Sequence, residues 1–400
     1  MRPTNGGAFR QTGKPVTSVV DSEATELRLE EGGQRFPHPT VESSGVGEEQ
    51  DRGRWILWSS EVVDSKSHSL DRGDVGDQFL VRTHSRAMVD GSYPVTPQSR
   101  KIFRVNDASH DWVASVVGAQ EVSEVRSLTF GIVSDLCLVN ADGQLLVLRR
   151  YLNEALVESH PNLVRDEVIA LAAAQDVFGD RVPVVVGSDS QGEIVGHPAL
   201  LMTYLPGSAL IHGTDPDALA QPLATLHGSS VPAELPAFHH WFDEELVGIP
   251  KWSSDEKAWQ VLVTVMAERE PAWEPAFLHR DFHPGNLLWE QEELVGIVDW
   301  TLACRGPRAV EIAHVRSNLA LVDDVGAADR FLSAYRARVA DYQHHPWWDA
   351  AELFTWDSEF AGVMAFNAFG SNLTVELLQH RADLYARSVA DSILGAHDAG

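Results

Sequence analysis

The sequence predicts an α+β protein in which a small β-rich lobe precedes a larger helical one, and three observations lead there. At about residue 107 a stretch without period gives way to regular hydrophobic patterning. The first patterned segments are short apolar runs joined by turn residues. Beyond Pro206–Gly207 the segments are mostly helical in period, interrupted by one hairpin with a polar turn.

Taken in order, HDWVASVVGAQEVSEVRSL opens with a short helix. SLTFGIVSDLCLV and QLLVLRRYL then read as strands joined by the turn at Asn140–Gly143. The apolar residues of NLVRDEVIALAAAQDVF recur at three and four, which predicts a helix. HPALLMTYL reads as a buried strand ending at Pro206–Gly207. DALAQPLATLHG and DEKAWQVLVTVMAE are helical, and FLHRDFHPGNLLW and LVGIVDW form strand-like segments around the polar turn EQEE. The helices VEIAHVRSNLALV, AADRFLSAYRARVADY and NLTVELLQHRADLYARSVADSIL follow. No internal repeat is evident. Residues 1–106 lack any period: TVESSGVGEEQDRG and VDSKSHSLDRGDVGD are rich in Ser, Gly and Asp. They read as a disordered or irregular extension, with a small β-subdomain as the other reading. The expected organisation is therefore this extension, a first lobe over 107–205 and a helical lobe over 206–400.

Composition narrows the function classes. No apolar run approaches the roughly 18–20 residues that span a bilayer. The opening MRPTNGGAFRQTGKPVTS has no apolar core of the secretory kind. Cys137 and Cys304 stand far apart in no metal-type spacing, and read as small buried hydrophobes of a cytosolic protein. Of the net charge of −27, residues 1–106 carry only −1, so the acidic excess belongs to the patterned part. That argues against nucleic acid as a partner. It suits a cationic small molecule by electrostatic steering, or serves solubility alone.

The chemistry concentrates in HRDFHPGN and the following IVDW. Asp281 and Asn286 are five residues apart at the end of a loop entering one strand, and Asp299 ends the next strand. Three oxygen-bearing side chains can converge there. Phosphoryl transfer needs such a set: one carboxylate orients the attacking hydroxyl, while an amide and a second carboxylate hold Mg²⁺ on nucleotide phosphates. The spacing H-R-D-x-x-x-x-N is the kinase catalytic-loop pattern.

On LHRDFHPGN and the IVDW strand end, with weaker support from LMTYLPG and LATLHG, the segment from about 107 to 395 resembles the aminoglycoside phosphotransferase family, small-molecule kinases of bilobal, protein-kinase-like fold. The resemblance implies that Asp281 is the catalytic base or hydroxyl-orienting residue and that Asn286 and Asp299 are Mg²⁺ ligands. It implies structural roles for His279, His283 and Glu311, the last bracing the catalytic loop. Arg149 stands where a kinase has its phosphate-binding lysine, a change of fork geometry at equal charge. Glu167 is the matching helix acid, or else makes an ordinary surface salt bridge. Gly131 and Ser134 would contact the phosphates of ATP or GTP, although LTFGIVSDLCL holds one glycine where protein kinases have three. Backbone groups of Thr203 and Leu205 would hold the base. Asp299 lacks the following Phe-Gly, and no activation loop fits before Glu311, so a protein kinase is excluded; Arg280 receives no catalytic role. Acids beside aromatics in WDSEFAGVMAFNAFG and HHPWWDAAELF suit an amine-bearing acceptor, or are simply the solvated face of helices.

Two readings follow. One is a Mg²⁺-dependent phosphotransferase acting on a small-molecule hydroxyl: an aminoglycoside-like compound, an amino alcohol or a sugar. The other is a catalytically weak pseudokinase that binds nucleotide or metabolite as a regulatory module, favoured by Arg149 and the single-glycine loop.

Overall fold

The computed structural model describes residues 107–128 and 134–398. The expectation for residues 1–106, and the candidate phosphate contact Gly131, lie outside them.

The first lobe is a five-stranded antiparallel sheet. Strands β1 (Val122–Ser127), β2 (Asp135–Ala141), β3 (Gln144–Arg150), β4 (Val185–Asp189) and β5 (Ala199–Thr203) lie in the order β1-β2-β3-β5-β4. Helix α1 (Asp107–Val117) covers one face and helix α3 (Leu163–Phe178) the other; the short α2 (Glu154–Ser159) precedes α3. The period-2 alternation of strands divides the core in two. Cys137, Val139, Leu146, Leu148 and Leu201 pack against Trp112 and Val113 of α1. Leu138, Val147, Leu200 and Met202 join Val164, Leu171 and Ala174 of α3. Both free cysteines are buried, Cys137 in this sheet and Cys304 in the second lobe. The β2–β3 turn places Asp142 (φ 50°) and Gly143 (φ 95°) in the left-handed region, the Asp-Gly chemistry of a tight hairpin.

Strand β1 was not foreseen as a strand. Its sequence VSEVRS is exposed at nearly every position, so no alternation marks it. It holds its place by pairing with β2 at the sheet edge.

Beyond Gly207 (φ 110°) comes β6 (Ser208–Ala209), then β7 (Pro275–Leu278), β8 (Leu287–Glu290), β9 (Glu293–Ile297) and β10 (Cys304–Pro307). They form a three-stranded sheet, β6-β8-β9, and a β7–β10 pair. The helices are α4 (Pro216–His227), α5 (Glu256–Met266), α6 (Arg308–Val322), α7 (Val325–Arg338), α8 (Trp347–Leu353), α9 (Ala361–Met364) and α10 (Val375–Asp398). Helix starts follow the expected capping: Asp215, Asp255 and Asp324 each accept a first-turn backbone N–H, and Pro216 sits just inside α4. Helix α6 is buried at every residue from Ala309 to Val322, the mark of a central helix. Among the described residues no helix is long and apolar enough to cross a membrane.

Candidate active site

The loop between β7 and β8 carries HRDFHPGN, and its shape is set by hydrogen bonds to its own side chains. His279 is fully buried; its Nε2–H donates to the Val298 carbonyl at 2.9 Å, and its Nδ1 accepts the Asp281 N–H at 3.3 Å. Burial lowers its pKa, favouring the neutral ring that this pattern needs. One residue on, Arg280 adopts φ 71°, and its backbone N–H donates to Glu311 Oε1 on α6. His227, at the end of α4, donates from Nε2 to Glu311 Oε2 at 2.8 Å. Glu311 thus ties the loop to two helices. The Arg280 guanidinium lies 3.5 Å from the centroid of the Trp241 ring and 5.5 Å from that of Phe238.

Asp281 and Asn286 meet across this loop. Asn286 Nδ2 donates to the Asp281 carbonyl at 2.9 Å and lies 3.2 Å from its Oδ2. With the amide nitrogen so committed, Oδ1 is the atom left to face a ligand. The Asn286 carbonyl accepts from Val298 N–H at 3.0 Å, which draws the end of β9, and with it Asp299, to the same place. Asp299 adopts φ 66° and with Arg280 is one of two non-glycine residues of the site in left-handed conformation. Burial pushes the Asp281 carboxyl up, but His283 and His314 outweigh it and hold Asp281 well below the ordinary range. His283 Nε2 lies 3.5 Å from Asp281 Oδ1, and its Nδ1 accepts the Gly285 N–H at 3.0 Å.

The first lobe contributes Arg149, and strand parity dictates how. Residues 147, 149 and 151 share the α3 face of β3, so the Arg149 side chain enters the space between that helix and the second lobe. It is 2% exposed. Its Nη1 bonds Glu167 of α3 at 2.6 Å and Asp299 at 2.9 Å, and also reaches Thr301 Oγ1. The Tyr151 hydroxyl donates to Glu167 Oε2. Glu167 is therefore no surface salt bridge: it is 1% exposed. Burial raises its pKa against the opposing Arg149 charge.

The remaining expected contacts are less gathered. Ser134 is half-buried just before β2. The Thr203 N–H donates to the Val184 carbonyl at 2.9 Å, so that group is not free to meet a base; Leu205 lies past the strand end, and no described residue takes its N–H. The acids that stand beside aromatics in WDSEFAGVMAFNAFG and HHPWWDAAELF differ in setting. Glu352, Trp347 and Trp348 are buried, and the Asp357 carboxylate accepts the Glu359 N–H at 2.8 Å.

A sequence model described as the phosphotransferase enzyme family matches residues 124–350, more than half of the 400. The chain belongs to the phosphotransferase enzyme family. A mouse protein, acyl-CoA dehydrogenase family member 10, is 25% identical over 247 residues, which are 55% of this chain but 23% of the mouse protein; the chain thus spans about a quarter of that curated relative. Among solved structures, aminoglycoside phosphotransferase APH(4)-Ia is 14% identical, with a TM-score of 0.47, over 70% of this chain and 98% of its own. The macrolide 2'-phosphotransferase MphH of Brachybacterium faecium is 17% identical, with a TM-score of 0.43, over 72% and 98%.

Four residues of this phosphotransferase-family chain went unnoticed in the sequence: Tyr151, Trp241, Thr301 and His314. Three had a usable signal. Tyr151 is two residues past Arg149 on the same strand face, Thr301 is two past Asp299, and His314 is three past Glu311 on one helix face. Trp241 sits in a stretch without regular secondary structure and offers none.

Proposed function

We propose that the protein transfers the γ-phosphate of ATP or GTP to a hydroxyl of a small molecule, with Mg²⁺ as cofactor. What carries the reading is the meeting of Asp281, Asn286 and the β9 end that bears Asp299, tied together by the Asn286 bonds to Asp281 and Val298. The donor set fits the metal: an amide Oδ1 and a carboxylate are the hard oxygen ligands that Mg²⁺ takes while keeping several waters. Asn286 and Asp299 would hold it, where its charge would offset that of the phosphates. Asp281 would accept the hydrogen bond of the acceptor hydroxyl and align it for attack. Held ionised, it is suited to orienting the hydroxyl from the start of the reaction. Arg149, with Glu167 fixing it, would meet the nucleotide phosphates from the first lobe, residues 107–205, while the acceptor approaches from the lobe of residues 206–400. Ser134 and the backbone of Leu205 are the remaining nucleotide contacts we assign, with Gly131 as an expectation from sequence. Catalysis would come from alignment and fixed charge.

One observation favours a nucleotide-binding module without turnover: the bond from Arg149 to Asp299, which engages the would-be metal ligand. The two readings part in one experiment. Purified protein with Mg²⁺, ATP or GTP and a panel of hydroxylated amines, sugars and aminoglycosides is analysed by mass spectrometry. A product heavier by one phosphoryl group is expected. A thermal shift with nucleotide and Mg²⁺ but no product on any acceptor would favour the silent module.

A further inference from the structure

The Asp281 carboxylate has a second imidazole beside it, one that arrives from the central helix rather than from the loop. His314 Nε2 lies 3.3 Å from Asp281 Oδ1, and on its other side Nδ1 lies 2.7 Å from Glu352 Oε1 of α8. The outer acid on α8 is unusual. Glu352 is 2% exposed; its Oε1 also takes the Thr355 hydroxyl at a longer 3.5 Å, and its Oε2 has no hydrogen-bond partner among the described residues, so the bond to His314 is the closest contact of this buried acid. The imidazole is clamped between rings, with Trp241 edge-on at 5.5 Å and Trp356 stacked at 6.3 Å between centroids. A buried line of acid, imidazole and acid is a costly way to stabilise a helix contact, since apolar residues of the same volume do that as well or better. What the line does accomplish is to reach Asp281.

We propose that His314, oriented by Glu352, is a positioning residue that fixes the Asp281 carboxylate for the acceptor hydroxyl. The inference rests on Asp281 being the group that meets the acceptor. With Nδ1–H donated to Glu352, the ring edge carrying Nε2 is aimed at Asp281, and Trp241 and Trp356 pack on the ring. Burial lowers the pKa of His314, but Glu352 and then Asp281 outweigh it and push it up to about 9. The ring is then an imidazolium at neutral pH, with Nε2–H directed at the carboxylate. The other titratable group facing it is His283 of the loop, with ring centroids 6.1 Å apart, while Arg280 packs on the Trp241 ring; on its own helix Asn318 Nδ2 donates to the His314 carbonyl at 3.0 Å and lies 3.2 Å from Nε2, beside the edge that meets Asp281.

The test uses the full chain. The wild type, Asp281→Ala, His314→Ala, His314→Gln and Glu352→Gln are compared in phosphate transfer from ATP with Mg²⁺ to the best acceptor of the panel above. In parallel, the His314 ring is titrated by nitrogen-detected NMR in the wild type, Glu352→Gln and Asp281→Asn. His314→Ala should lose about 10–100-fold in kcat with KM for ATP within about twofold, the signature of a misplaced reacting group. His314→Gln, which still presents an N–H toward Asp281, should recover most of the loss, and it stands in for the alanine variant if that does not fold. The ring should titrate near 9 in the wild type and at lower pH in both charge-removing variants. Full kcat in His314→Ala beside a dead Asp281→Ala overturns the inference, as does a ring titration unmoved by Asp281→Asn. A wild type that transfers no phosphate at all counts against the phosphotransferase reading instead, and the Asp281→Asn titration still decides whether His314 is coupled to Asp281.

Discussion

Asp281 lies about a quarter exposed at its side chain, enough to meet a ligand, while the imidazoles beside it are less exposed, His283 at 15% and His314 at 4%. That contrast gives two predictions at the scale of single residues. Asp281→Asn keeps the shape but removes the charge, and should lower kcat by about 10²–10⁴-fold while nucleotide affinity changes little. Steady-state kinetics with calorimetric nucleotide binding checks both halves. The second concerns pH and stability. The pKa of His314 is raised from 6.5 to about 9 on folding, so its stabilising contribution is complete below about 6.5, declines as pH rises and is gone above about 9. The full span is roughly 3 kcal/mol by the linkage relation. Urea unfolding at about pH 6 and about pH 10 should therefore show greater stability on the acid side from this group. In Glu352→Gln the difference should shrink, because the carboxylate that most raises the ring is gone.

At the scale of elements, the site depends on three segments held in register: the catalytic loop, helix α6 and the turn after β5. That turn passes through Gly207, whose φ of 110° no side-chain-bearing residue adopts without strain. A Cβ there would stand 2.9 Å from Val295 Cγ2 and 3.2 Å from the Trp289 carbonyl oxygen, against the sheet that carries the loop. Gly207→Ala should cost at least about 1–3 kcal/mol. It should lower the melting temperature measured by scanning fluorimetry, and a melting temperature equal to the wild type would remove the turn from the argument. The elements differ in how legible they were. HRDFHPGN was readable because most of the bonds that shape it run to partners within about twenty residues and its spacing is itself the geometry. The helices α3, α4, α5, α6, α7 and α10 announced themselves by period. Strand β1 did not, being an exposed edge, and α8 did not, since seven residues are too few to establish a period. The link from His314 to Asp281 spans 33 positions of chain, and only packing reveals it.

Across the whole described unit, Arg149 joins the sheet lobe to the helical lobe, bonding Glu167 behind it and Asp299 and Thr301 in front. Burial disfavours its charge, but Asp299 and Glu167 more than restore it, and its pKa stands well above the ordinary value. All three bonds use one nitrogen, Nη1, while Nε has no partner among the described residues. The planar fork of arginine is therefore not what the site exploits; it needs one cationic nitrogen at that point. This separates two substitutions usually treated alike. Arg149→Met leaves Glu167, 1% exposed, as an unpaired buried acid, and removing one partner of such a pair costs about 3–5 kcal/mol. Arg149→Lys brings three donors on one nitrogen to the same acceptors and should recover most of that loss, along with any thermal shift produced by nucleotide and Mg²⁺. Urea unfolding of both variants, each also combined with Glu167→Gln, checks the account. The methionine variant should gain stability from Glu167→Gln, whereas the lysine variant should lose it. If both variants lose stability equally, the two-nitrogen fork matters after all, and the junction between the lobes is held by arginine as such.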